Sequence, residues 1–216
     1  MVNDTSSTGQ AARAARGGQL LAGLTLFGVS VALMLRSGLG LDPWDVLHQG
    51  IAGRAGLPVG IVVIAMSVVV LTLWIPLRQR PGIGTVCNVV LVGLVVDTTL
   101  SLVAAPTPIA LRWAFLLVGI VANGVATGLY VGAGLGPGPR DGLMTGLAAR
   151  GLSLRVARTA IEATVLLTGW LLGGTVGPGT LLYAMSIGPL AQLFIHAFSV
   201  SRRVRCATPG LVGCTP

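Results

Sequence analysis

The sequence predicts an all-α, polytopic membrane protein with six transmembrane helices, arranged as two inverted three-helix repeats that each carry a short interfacial or re-entrant helix. Three observations lead there: an apolar composition, six apolar runs of spanning length, and an internal duplication.

Of 216 residues, 53% are hydrophobic and only 9% are charged, and the mean hydropathy is +0.87. A soluble domain carries about 25% charged residues. Glycine reaches 32 residues but in no Gly-X-Y register, so a collagen-like chain is excluded. Six spans of about 20 residues use most of the chain and leave only short loops.

All 14 basic residues are arginine, and the net charge is +8. In a soluble protein that excess would point to nucleic acid. Here the arginines sit between apolar runs, where cytoplasmic loops collect positive charge, so no nucleic-acid partner is expected. Cys87 lies in an apolar run and Cys206 and Cys214 in the polar tail, without Cys-x-x-Cys or histidine spacing, so no metal site or disulfide framework follows. No nucleophile with a base is visible, and a Gly-x-x-x-x-Gly-Lys loop is impossible without lysine. An enzyme and a bound cofactor are therefore not expected.

Residues 1–19 form a polar tail with Arg13 and Arg16. The apolar run at 20–35 superficially resembles a secretory signal, but it ends at Arg36 without a small-residue cleavage site, so it reads as an uncleaved first span. Apolar runs bounded by Gly, Pro and Arg place spans near 20–36, 59–77, 85–105, 111–131, 156–175 and 180–200. Residues 43–53 and 139–150 are too short and polar to cross, and they read as the two short helices. The chain thus divides into a tail at 1–19, a first repeat at 20–105, a second at 106–200 and a tail at 201–216. With the N-terminus in the cytoplasm, 11 arginines fall in inner loops and only Arg36, Arg54 and Arg112 in outer ones. That asymmetry puts both termini in the cytoplasm.

The repeat shows in the motifs. Gly38-Leu39-Gly40-Leu41-Asp42-Pro43-Trp44-Asp45 matches Gly134-Leu135-Gly136-Pro137-Gly138-Pro139-Arg140-Asp141, and identity continues at Gly50 with Gly146, Ala52 with Ala148 and Arg54 with Arg150. After a one-residue gap, Gly82-x-Gly84-Thr85 matches Gly177-x-Gly179-Thr180, and Gly93 matches Gly188. Composition bias does not produce an ordered set containing Pro, Asp and Arg. Three crossings per half is an odd number, so the second half must enter from the opposite side. Inverted repeats of this kind are common in secondary transporters, with the substrate site at the repeat interface.

The paired motifs at 38–48 and 134–144, followed by Gly-Pro-Gly-Thr at 177–180 and Ile-Gly-Pro-Leu at 187–190, resemble the YczE-like integral membrane protein family, over nearly the whole chain apart from its tails. The resemblance implies a bacterial multi-pass protein of the cytoplasmic membrane and supplies no substrate.

The candidate substrate-binding residues are Trp44, Asp45, Asp97, Arg140, Asp141 and Gln192. Asp45 and Asp141 each follow a proline by two positions, which suits a helix start with Asp42 or Gly138 as N-cap; the same aspartates would also serve to line a polar cavity. Arg140 either forms an anion pocket with the glycine-rich backbone before it or pairs with Asp141. Trp44 offers a stacking face or an interface anchor. Asp97 lies mid-span, where an exposed charge costs about 2.5–3.5 kcal/mol, so it should face the bundle interior, either protonated and hydrogen-bonded to a neighbouring helix or as a site for proton coupling or solute binding, and Gln192 is its counterpart. Glu162 should pair with Arg158 at i,i+4, Asn88 and Asn123 should bond between helices, and His48 and His196 read as interfacial. Gly23 and Gly28, with counterparts Gly119 and Gly124, should let helices approach closely.

The expectation is a small-solute carrier with Asp97 as its coupling or binding carboxylate. The alternative is a non-transporting scaffold or regulator that holds a partner protein. Expected partners are the lipid bilayer and a small-molecule or ion substrate, and the modest span count leaves room for a homodimer.

Overall fold

The computed structural model describes residues 4–198, with side chains from residue 13 onward. The expected C-terminal tail at 201–216, with its arginines and Cys206 and Cys214, lies outside the described residues. Among the described residues there are eight helices and no strands: α1 (Asp4–Ser37), α2 (Pro43–Ala55), α3 (Val59–Leu77), α4 (Ile83–Leu102), α5 (Ile109–Gly132), α6 (Pro139–Ala148), α7 (Leu154–Leu171) and α8 (Pro178–Phe198).

Five of these are long and apolar enough to cross a membrane: α1 over Arg13–Ser37, α3, α4, α5 and α8. The expected fifth span at 156–175 is α7, which differs. It has only 18 residues, and Arg155, Arg158 and Glu162 fall inside it. It stops at Leu171, ahead of a turn in which Gly173 takes φ 97°. The polar start also differs from a plain tail, because residues 4–19 continue the first helix without a break.

Local chemistry explains the short helices. Asp42 is the N-cap of α2, with Pro43 at the first helical position and the Asp42 carboxylate accepting the Asp45 N–H at 2.6 Å. In α6, Gly138 takes the cap position before Pro139 and offers no side chain.

The central helices α1 and α5 pack on each other; α4 lies on α1, and α8 on α5. Leu24, Val31, Met34, Val96 and Leu116 fill this seam, almost fully buried. Glycines set its spacing. Gly23 meets α5 at Leu129 and Tyr130, Gly119 meets α1 at Ser30 and Met34, Gly28 faces Val95 and Gly124 faces Leu190. On either side, α2 packs on α7 and α3 on α6.

Sequence counterparts make matching contacts in the other half. Gly84 donates its N–H to the Leu135 carbonyl at 3.0 Å, and Gly179 donates to the Leu39 carbonyl at 2.9 Å. Thr85 Oγ1 donates to the Pro137 carbonyl at 2.7 Å, while Thr180 Oγ1 accepts the Leu41 N–H at 3.1 Å. The loops held this way turn at Gly40 and Gly136, with φ of 123° and 128°, a region open to glycine but strained for other residues. The Gly-x-Gly-Thr segments are thus seats for the opposite loop as well as turns into α4 and α8. Arg54 donates to the Leu171 and Leu172 carbonyls at the end of α7, and Arg150 donates to the Pro76 carbonyl near the end of α3. A cation at a helix C-terminus satisfies orphan carbonyls and opposes the dipole.

One match is complementary instead of identical. Trp74 of α3 is 2% exposed, lies over Gly142 of α6 and donates Nε1–H to the Pro139 carbonyl at 3.1 Å. Its counterpart in α7 is Gly169, which lies directly on Val46 and Leu47 of α2.

One match is broken. Helices α3 and α4 are closely packed, with a Cβ on Gly60 blocked by the Gly93 carbonyl oxygen and by Asp97. Helices α7 and α8 are not an extensively packed pair, and a Cβ on Gly188, the counterpart of Gly93, would meet nothing.

Candidate functional site

A cavity of about 820 Å³ opens between the short helices α2 and α6 and the inner faces of α1, α3, α4, α5, α7 and α8. That volume is within the range of small-molecule sites. Of the six expected site residues, Trp44, Arg140, Asp141 and Gln192 line it.

Arg140 is the centre of its polar wall. Its Nη1 donates to Asp42 Oδ2 at 2.9 Å, and its Nη2 lies 3.6 Å from Asp45 Oδ1. The guanidinium also lies between two rings, 5.8 Å from the centroid of Phe27 and 5.6 Å from that of Trp44, a favourable setting for a delocalised cation. The partner is therefore Asp42, 98 residues earlier, and not the adjacent Asp141. The reason is geometric. Residues next to each other on a helix point in different directions, whereas Asp42, held at the start of α2, presents its free oxygen across the gap.

Asp45 stands behind this pair instead of lining the cavity. It is 1% exposed, its Oδ1 is 3.2 Å from His48 Nδ1, and its Oδ2 has no partner. His48 is 2% exposed, a correction to its expected place at an interface, because the carboxylate beside it supplies a buried polar partner. Burial pushes the Asp42 carboxyl above its ordinary value, and the neighbouring Asp45 charge adds to the rise, while Arg140 pulls the other way. Burial alone would lower the Arg140 guanidinium, but the charges of Asp42 and Asp45 outweigh it and hold it above its ordinary value. Arg140 stays charged.

Asp141 turns to α5, where Tyr130 donates its phenol O–H to Oδ2 at 2.6 Å. Deeper in, Asn123 donates to Ser30 Oγ at 2.9 Å and accepts the Tyr183 O–H at 3.1 Å, tying α5 to α1 and α8 as expected of a polar residue between spans. Asn88 lines the cavity. Arg158 and Glu162 also line it and form the expected i,i+4 pair at 2.9 Å.

Asp97 is elsewhere. Its Oδ1 accepts the Gly60 N–H at 2.6 Å, closing the first turn of α3, and it does not line the cavity. The sequence flags it as a charge needing an interior partner, and among the described residues the first turn of α3 supplies one. Asp42, Phe27, Tyr130 and Tyr183 were missed. The sequence marks Asp42 only as a cap, and the aromatics lie in apolar runs where nothing marks them. Among the described residues no cluster of His, Cys, Asp and Glu is placed to hold a metal ion.

An all-helical chain in which five helices are long and apolar enough to cross a bilayer defines a multi-pass membrane protein. The chain belongs to a family described as a family of unknown function (DUF6198), whose pattern matches residues 15–196. It is 43% identical to an uncharacterized protein of Haemophilus influenzae, over 82% of each chain. It is 34% identical to the uncharacterized membrane protein YczE of Bacillus subtilis, over 77% of this chain and 79% of that one. It is 28% identical to the uncharacterized protein YyaS of Bacillus subtilis, over 84% of this chain and 95% of that one. The expected YczE-like family is therefore the right one. No solved structure matches.

Proposed function

We propose that the protein is a small-solute secondary transporter of the bacterial cytoplasmic membrane, without enzymatic activity, built from two inverted three-span repeats, α1–α4 and α5–α8. In this reading α7 is the sixth span and α2 and α6 do not cross. At 18 residues and about 1.5 Å per residue, α7 is close to the hydrocarbon thickness of about 30 Å. Its Arg158 and Glu162 face the cavity and pair with each other, the setting in which charges within a span are tolerated. Support for the repeat comes from the contacts exchanged between halves, as at Gly84 and Gly179 and at Arg54 and Arg150.

The observation that carries the proposal is the cavity itself. Both halves line it, through the short helices beside the Arg140–Asp42 pair, where inverted-repeat carriers hold their substrates. The open α7–α8 side gives it an entrance.

Two measurements test this. In a background without Cys87, Cys206 and Cys214, single cysteines at Thr107 and Ser153 should label from opposite faces of the membrane; labelling from the same face removes the inverted arrangement. In proteoliposomes, protein-dependent solute flux should stop when Gly188→Trp fills the entrance, and flux unchanged by that substitution removes the cavity from the path.

A further inference from the structure

Three carboxylates line the cavity: Asp42, Asp141 and Glu162. Asp42 is paired with Arg140 and Glu162 with Arg158, each at 2.9 Å. Asp141 has only a neutral phenol, Tyr130, at 2.6 Å. Among the described residues it is the one lining carboxylate without a cationic partner. Arg140, its neighbour in the chain, is committed to Asp42 and lies near Asp45 as well, so a guanidinium facing two carboxylates leaves no positive excess to attract an anion. The lining carries more acid than base, and Asp45 behind the wall adds to the difference.

The rest of the wall has matching chemistry. The rings of Phe27, Trp44, Tyr130 and Tyr183 line the same space, and aromatic faces attract cations through their quadrupoles. A carboxylate in a low-dielectric cavity is costly to leave without a counter-ion. We infer that Asp141 is the binding carboxylate for an organic cation, an amine or a quaternary onium ion with an apolar body, seated among these rings. The inference rests on the cavity being the solute site and names the class of solute. It also divides the work between the sequence counterparts: Asp45 is buried structure, and Asp141 is the ligand contact.

The test is equilibrium binding to the purified full-length protein in detergent, using tetraphenylphosphonium and tetraphenylborate, which match in size and shape and differ in the sign of their charge. Saturable binding of the phosphonium but not the borate is expected. Asp141→Asn should weaken it at least tenfold, while Asp141→Glu and Tyr130→Phe, which keep the carboxylate, retain it. Preferential or equal binding of the borate overturns the inference, and so does phosphonium affinity unchanged by Asp141→Asn. If Asp141→Asn fails to fold, the comparison of the two ions in the wild type and in Asp141→Glu decides. Because binding in detergent requires no vectorial movement, Asp141-dependent phosphonium binding without flux in proteoliposomes would remove the transporter and leave this site. Flux of an anion without phosphonium binding would do the opposite.

Discussion

Asp97 of α4 accepts the Gly60 N–H at the start of α3 at 2.6 Å, while its sequence counterpart Gln192 faces the cavity from α8. The same position therefore closes a helix seam in one half of the chain and lines open space in the other.

That relationship predicts a contribution of Asp97 to stability. Asp97→Ala leaves the Gly60 N–H without its acceptor and should lower unfolding stability in detergent by about 1–3 kcal/mol. Asp97→Asn retains an acceptor oxygen and should lose less. Equal losses for the two variants would mean that the hydrogen bond is not what Asp97 contributes.

The Arg140–Asp42 pair should behave as a buried ion pair. Removing one partner strands the other, at about 3–5 kcal/mol. Arg140→Gln and Asp42→Asn should each destabilise strongly, and the double variant should be less damaged than the sum of the two. A double-mutant cycle with no coupling energy would refute the pairing.

Trp74 and Gly142 fill one space between them. Trp74→Gly should cost at least the roughly 3–5 kcal/mol typical of truncating a buried aromatic. Adding Gly142→Val reproduces the Gly169–Val46 arrangement of the other half and should recover part of the loss. Yield of monodisperse protein and thermal midpoint give the readout, and a double variant worse than Trp74→Gly alone would rule out complementary filling.

Gly93 and Gly188 should differ in tolerance despite their matching sequence positions. A Cβ on Gly93 runs into the Gly60 carbonyl oxygen and Ile64, whereas one on Gly188 meets nothing. Gly93→Leu should therefore prevent stable folding, and Gly188→Leu should shift the thermal midpoint little. Similar melting behaviour of the two would show that the α3–α4 and α7–α8 seams are equally close.

What the sequence revealed follows from how each feature is encoded. Spans announce themselves through continuous apolar runs, so α3, α4, α5 and α8 fall within a few residues of their expected limits. The Asp-Pro start of α2 is read from local rules, because an N-cap bonds to its own helix. The partners of Arg140 and Asp97 were not legible. Each depends on which helices meet, and a charge within a span says that it needs a partner without saying which. Tyr130 and Phe27 were hidden because aromatics in an apolar run look the same facing lipid or facing a cavity. The charges of α7 were visible, but an isolated run gives no sign that its polar side borders a shared space.

The exchanged loops have a mechanical consequence. Leu39 and Leu135 hold the N–H groups of Gly179 and Gly84, Thr85 and Thr180 bind the loops beyond them, and Arg140 clasps Asp42 across the same level. Pulling this waist apart would strand several desolvated polar groups at about 1–3 kcal/mol apiece. Shape change is far cheaper at the flank, where α7 and α8 already stand apart, so the molecule has a stiff girdle and a soft edge.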